Sequence, residues 1–189
     1  MKIILASQSP RRLEILNKHG IEPIVMPADV DETLPDDISM EDAVKTLALK
    51  KAEAVYKSIN SNPKYRNAVV IGSDTIVYKD SIMGKPIDTE DAYRMLSSIR
   101  NTSHYVATGV ALIDTNTGEA KVLCDVTTVY CKDYSDAEIY EYINTNEPFD
   151  KAGSYAIQGE FSKYIDHIDG DYENVVGLPY HLIEKYLNK

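Results

Sequence analysis

The opening pattern of this chain limits most strongly what it can fold into. Lys2-Ile-Ile-Leu-Ala6 is a short apolar strand, Ser9 to His19 reads as a helix ended by Gly20, and Ile21-Glu-Pro-Ile-Val-Met26 reads as a second strand. A strand, a helix and a strand in that order open an α/β protein. The helix start is well signalled: Ser9 suits the N-cap, Pro10 suits the first helical position because its missing N–H is unneeded there, and Leu13 and Leu16 begin an apolar stripe. Arg11 and Arg12 therefore fall in the first turn, where the helix dipole disfavours each cation by about 0.3–1 kcal/mol at an exposed site. An anion removes that cost. Free N–H groups, the hydroxyls of Ser7 and Ser9 and one or both guanidiniums together describe a phosphate site. They also describe a capped surface helix with two solvated arginines, and this fragment alone does not choose.

The rest of the chain continues the α/β pattern. An acidic loop, PADVDETLPDD, leads into a long helix from Ser39 to Asn60, where Ser39 and Asp42 resemble a capping box. After the polar break NSNPKYRN comes AVVIGSDTIVY, an apolar run interrupted by Ser73, Asp74 and Thr75, which reads as a buried strand with something polar in its middle. KDSIMGKP makes a turn and a short return strand, and a helix follows from Thr89 to Ile99. HYVATGVALIDT and EAKVLCDVTTVYC are strands joined by a hairpin at NTG, and Ser135 with Glu138 forms a capping box that opens a helix to Ile143. The tail is punctuated by glycines, and a closing helix starts at Leu178 or Pro179. No repeat, linker or low-complexity tract divides residues 1–189, so a single domain is expected.

Charge narrows the partners. A net charge of −10 argues against binding to nucleic-acid backbones, which needs clustered Lys and Arg over a surface. A local basic pocket in an acidic protein favours a small phosphorylated ligand, carried with a metal. No run approaches the roughly 18 apolar residues that span a bilayer, and MKIILASQSPRR is too short in its apolar part for a secretory signal, so no membrane partner and a cytoplasmic location are expected. Cys124 and Cys131, on one strand-like stretch, face opposite sides if the strand is continuous, and read as reduced thiols.

Several side chains can do chemistry. Asp29, Asp31, Glu32, Asp36 and Asp37 crowd one loop, which is either a solvated loop or, at the sheet edge where α/β proteins collect ligands, a source of carboxylates for Mg²⁺ or Mn²⁺. Asp74 sits in the middle of VVIGSDTIV, where a carboxylate needs a partner, a metal or an opening to water; it is suited to hold metal or to take a proton from water. Lys51 in LALKKAEAV and Lys85 in GKP, each ordinary alone, would with Arg12 clamp a polyphosphate while Glu32 and Asp74 hold the metal. Which of Lys50 and Lys51 faces the ligand is not readable from the helix alone.

Taken together, ASQSPRR, DVDE, LALKKAEAV, VIGSDTIV, GKP, ATGV, DKAGSYAIQG and NVVGLP, in this order and spacing, resemble the Maf family of nucleoside triphosphate pyrophosphatases over nearly the whole chain. The resemblance implies a metal-dependent cytoplasmic enzyme that cleaves a nucleoside triphosphate between its α and β phosphates, with a house-cleaning role. It also implies a twisted mixed β-sheet flanked by helices, in two lobes around a cleft, similar to the inosine triphosphate pyrophosphatases. Carried over by motif, Asp74 is the proton acceptor, and Ser7, Arg11, Arg12, Glu32, Lys51 and Lys85 form the phosphate and metal environment. Arg12, Thr75 and Gln158 match positions of substrate choice. Sequences with Y-A-I-Q-G resemble the dTTP and UTP branch, as distinct from the branch acting on 7-methyl-GTP. A glutamine amide agrees with this, since its donor and acceptor match the O4 acceptor and N3–H donor of thymine or uracil. The chain departs from many relatives at Glu160, Phe161 and Ser162, and at Asp171. Relatives are often homodimers, which makes a homodimer the corresponding expectation. The alternative function is a nucleotide-binding regulator of septum formation that needs occupancy more than turnover.

Overall fold

Strand β1 (Lys2–Leu5) lies between two parallel neighbours, β2 (Ile24–Val25) and β3 (Ala68–Lys79). In this computed structural model, which describes residues 1–187, Leu5 pairs with Val25 on one side and Ile71 on the other. β4 (Ser81–Met83) returns antiparallel to β3, and β5 (Ser103–Asp114), β6 (Ala120–Cys131) and β7 (Ile165–Asp169) complete a sheet of order β2-β1-β3-β5-β6-β7. The helices are α1 (Pro10–Lys18), α2 (Met40–Ile59), α3 (Thr89–Ile99), α4 (Asp136–Ile143), α5 (Tyr172–Val176) and α6 (Tyr180–Leu187). The mixed α/β class is the expected one. Among the described residues no helix is long and apolar enough to cross a membrane.

Local chemistry explains most boundaries. β2 is shorter than the expected strand because Pro23 and Pro27 bracket it and neither can donate to a ladder. Ser135 and Glu138 form the full capping box at α4, with Ser135 N–H donating to Glu138 Oε2 at 2.8 Å and Glu138 N–H donating to Ser135 Oγ at 3.3 Å. At α2 only half of the expected box forms: Ser39 Oγ accepts from Asp42 N–H at 3.1 Å, while the Asp42 carboxylate faces Lys45 at 3.9 Å. β7 was not expected. A bulge against Tyr130 and Cys131 breaks the period-two alternation, so Ile165 and Ile168 both reach the core although they are three residues apart.

The chain divides into two compact units, the first comprising Met1–Asp74, Thr108–Asp125 and the segment from Gly177, the second Thr75–Ala107 and Val126–Val176. In the first, α2 is laid directly on the sheet. A Cβ on Gly72 of β3 would meet the Ala48 carbonyl at 2.2 Å, and one on Gly109 of β5 would meet the Val44 carbonyl at 2.2 Å. Neither glycine has a positive φ, so both are required by the close approach of helix backbone to strand backbone. Around this seam Ile4, Ala48, Ala52, Val55, Val70 and Ala111 form a buried core.

The second unit's core accounts for much of the chain's tyrosine content. Phe161 is fully buried, and the rings of Tyr134, Tyr142, Tyr155 and Tyr164 lie around it at centroid distances of 5.6, 5.1, 5.1 and 5.3 Å. Buried phenols need partners: Tyr134 donates to the Leu96 carbonyl at 2.7 Å, and Tyr155 shares a 2.6 Å hydrogen bond with His104 Nε2. His104 is buried, its Nδ1 has no hydrogen-bond partner among the described residues, and burial, helped by Lys79, pushes its pKa down to about 4. The folded state thus keeps His104 neutral where the unfolded chain takes up a proton. This contribution to stability is complete above pH about 6.5 and is lost as pH falls toward 4, to a total of about 3 kcal/mol. Urea melts between pH 7 and 4 should show that slope, and His104→Gln should flatten it; an unchanged slope in the variant would contradict the assignment.

Candidate functional site

In the first unit β2, β1 and the amino-terminal half of β3 run parallel in that order, and the carboxyl ends of β2 and β1 come to one edge beside the middle of β3. β2 is followed by the acidic loop carrying Glu32, β1 by Ser7 and the start of α1, and on β3 Asp74 lies three residues beyond the partner of Leu5. This is the edge at which open α/β sheets bind ligands.

Lys51 is the hub. The glycine seam fixes α2 so that Ala48 and Ala52 lie on Gly72, and Lys51, between them in sequence, reaches the sheet edge. Its Nζ stands 2.5 Å from Asp74 Oδ1 and 2.7 Å from Glu32 Oε1. Lys50 serves elsewhere, donating to the carbonyls of Asp31 and Thr33 at 3.0 and 3.3 Å and so pinning the acidic loop. That loop is further shaped by Asp31, whose Oδ1 accepts from Thr33 N–H at 2.9 Å and whose pKa is lowered by its hydrogen bonds to the Thr33 side chain and backbone. Asp29, Asp36 and Asp37 are exposed.

The residues fit a divalent cation. Glu32 and Asp74 both aim a carboxylate oxygen at a single cationic point, and hard oxygen donors from one or two carboxylates are what Mg²⁺ or Mn²⁺ takes alongside phosphate oxygens. The Lys51 ammonium stands where such a cation's charge would act. Asp74 is mostly buried, whereas Glu32 is largely exposed on its loop, so the strand holds one ligand rigidly and the loop brings the other.

Arg12 is fixed at two points: Nη1 donates to Ser7 Oγ at 3.0 Å and Nε donates to the Gly177 carbonyl at 2.9 Å. Burial lowers its pKa, Asp74 opposes this, Arg11 adds to it and Glu32 opposes it again. The guanidinium is therefore held beside two carboxylates and a second cation in a partly desolvated place, an arrangement that a bound anion would stabilise. Ser9 makes no side-chain cap bond; its N–H instead donates to Ser7 Oγ at 3.2 Å, so Ser7 organises the turn expected to depend on the Ser9 hydroxyl. Arg11 is half-buried in the same first turn.

Ser7, Arg11, Arg12, Glu32, Lys51 and Asp74 thus belong to one edge of the first unit, while Thr75, Lys85 and Gln158 belong to the second. Thr75 is half-buried, Lys85 is exposed on the turn after β4, and Gln158 is exposed and has no hydrogen-bond partner among the described residues. Two contributors escaped the sequence reading. Gly177 offers its carbonyl to Arg12, and Ser73 Oγ lies 3.0 Å from the carbonyls of both Gly177 and Gly109, tying β3 to the segment that holds Arg12. A carbonyl acceptor leaves no residue-type signal, although the motif NVVGLP contains it.

Comparison with known proteins decides the family. The profile described as Maf-like protein matches residues 2–189. The chain belongs to the Maf family. Among curated Maf relatives, the dTTP/UTP pyrophosphatase of Caldicellulosiruptor saccharolyticus is 42% identical over 189 residues, covering 100% of this chain and 94% of that protein. The dTTP/UTP pyrophosphatase of Alkaliphilus oremlandii is 46% identical over 178 residues, covering 94% and 90%. Of solved structures, the Ham1 protein of Staphylococcus aureus is similar with a TM-score of 0.44 at 16% identity, over 70% of this chain and 73% of that one. Asp171 caps α5: its Oδ2 accepts from Asn174 N–H at 2.7 Å.

Proposed function

We propose that this protein is a nucleoside triphosphate pyrophosphatase that converts dTTP and UTP, together with modified pyrimidine triphosphates, to the monophosphate and pyrophosphate. The observation that carries the reading is the convergence of Glu32, Asp74 and Lys51 beside Arg12 on one sheet edge. Full-length identity to relatives named dTTP/UTP pyrophosphatases supports the substrate. Glu32 and Asp74 would hold a divalent metal, which when bound neutralises phosphate charge and lowers the barrier to attack at phosphorus. Asp74 takes a proton from water, the water oxygen bonds to the α-phosphorus, and the bond from that phosphorus to the α,β-bridging oxygen breaks, releasing pyrophosphate. Lys51, exchanged from its carboxylates, and Arg12, braced by Ser7, meet the negative charge that grows on the leaving phosphates. Arg11 and Lys85 add cations to the triphosphate environment. Thr75 and Gln158 contact the nucleoside, the Gln158 amide giving a donor to O4 and an acceptor to N3–H. An acidic protein using a small nucleotide in this way suits the cytoplasm and has no need of nucleic acid.

The test is product analysis with dTTP, UTP, CTP, ATP, GTP and 7-methyl-GTP in Mg²⁺ or Mn²⁺, with a chelator arm. Pyrophosphate without orthophosphate, fastest from dTTP and UTP and abolished by the chelator, is expected. Orthophosphate as product would overturn the bond assignment. Nucleotide binding without turnover would replace the enzyme with a nucleotide-binding regulator of septum formation.

A further inference from the structure

We propose that Glu147, acting with Tyr142, is the positioning residue that holds the Gln158 turn in the form that reads the base; this rests on the role given to Gln158 above. Residues 156–159 form one reverse turn, Gly159 N–H donating to the Ala156 carbonyl at 3.2 Å, with Ile157 and Gln158 at its centre. Gln158 itself is exposed and without a hydrogen-bond partner among the described residues, so nothing on its own side chain sets its direction. Its direction comes from the backbone, and that backbone is tied at its far end to one clamp.

On the far side of the turn, Glu147 Oε2 accepts from Glu160 N–H at 3.1 Å. Glu147 Oε1 accepts from the Tyr142 hydroxyl at 3.1 Å. The relay runs from Tyr142 through Glu147 to Glu160 and holds the far end of the turn. Tyr142 is anchored by burial and by its ring contact with Phe161, and Glu147 is anchored by its own N–H donating to Thr145 Oγ1 at 3.2 Å.

An independent observation points the same way. A Cβ on Gly159 would lie 1.8 Å from Glu147 Oε1 and 2.4 Å from its Cδ. Gly159 has φ −92°, which any residue adopts, so the glycine is demanded by the carboxylate lying against it and not by the backbone. Glu147 forms no ion pair among the described residues, and its directional partners are a hydroxyl and an N–H. Its worth is geometric: removing it frees one end of the turn, which a base-reading amide would register as lost discrimination while the phosphate edge, in the other unit, keeps its own groups.

The deciding experiment measures kcat and KM of Glu147→Ala with dTTP, UTP, CTP and GTP. We expect KM for dTTP and UTP to rise about tenfold, kcat to stay within about threefold, and the preference for dTTP over CTP to fall about tenfold. Gly159→Ala should behave alike, and the double variant should be no worse than either, because the collision disappears with the carboxylate. An unchanged preference, or an equal loss with all four nucleotides, would overturn the proposal. If Glu147→Ala does not fold, Tyr142→Phe, which keeps the ring on Phe161 and removes the hydroxyl, is judged by the same two outcomes. If the unaltered protein releases no pyrophosphate from any nucleotide, the pyrophosphatase reading falls by itself, and the binding preference for dTTP over CTP in both proteins then decides the role of Glu147.

Discussion

Asp74→Asn should lower the rate of pyrophosphate release from dTTP by about 10²–10⁴-fold, the range that a positioned proton acceptor supplies, and leave nucleotide affinity nearly unchanged. The substitution removes the proton acceptor, and one negative charge, but keeps an oxygen in place, because an asparagine carbonyl can still accept from Lys51 where Oδ1 now lies 2.5 Å from Nζ. Glu32 remains at 2.7 Å to share the lysine, so the cationic point keeps a carboxylate and the edge keeps its shape. What asparagine cannot do is take a proton from water. The comparison with Lys51→Ala separates the base from the clamp: losing the ammonium removes charge stabilisation and leaves Asp74 and Glu32 facing each other without their shared cation, which should weaken triphosphate binding as well as turnover. Single-turnover kinetics with dTTP, read beside equilibrium binding, gives both quantities. Turnover in Asp74→Asn within about threefold of the unaltered protein would remove Asp74 from the role of base.

The parts of this site that were legible in the sequence are those where a residue type conflicts with its surroundings. Two arginines in a helix's first turn and an aspartate within an apolar strand each carry an energetic cost that a ligand, metal or partner relieves, and Arg12 and Asp74 do sit together at the edge of the first unit. The helices were legible where side chains close their own caps, as at Ser135 and Glu138. What was hidden depends on the main chain. The Gly177 carbonyl that orients Arg12, the choice of Lys51 over Lys50, and the tie between Glu147 and Glu160 N–H all follow from where backbone atoms arrive in space. β7 was hidden because its bulge erases the alternation by which a half-buried strand is known.

Gly72→Ala tests the seam on which the site's geometry depends, and with Gly109→Ala it should be among the most destabilising methyl groups one could add to the first unit's sheet. The added Cβ would meet Ala48 O at 2.2 Å, Ala52 N at 2.7 Å and Ala52 Cβ at 2.9 Å. Two of these are backbone atoms of α2, a 20-residue helix fixed by Ala43, Val44, Leu47, Ala48, Ala52, Val55 and Ile59 in the core, so no flexible side chain can swing aside. Either the helix lifts, opening voids along that apolar face, or the strand bends; overpacking of this kind costs about 3 kcal/mol or more. For a chain of this size that corresponds to a fall in Tm of roughly 6–12 °C. Gly84→Ala is the matching control, since nothing lies within 4 Å of its Cβ position and its φ is not positive; it should move Tm little. Because Ala48 and Ala52 flank Lys51, and Gly72 lies two residues before Asp74, a lifted helix also draws the ammonium away from its carboxylate. Activity in Gly72→Ala should therefore fall even well below its melting temperature, whereas a Tm like that of the Gly84 control would mean that α2 is not held on the sheet by this close approach.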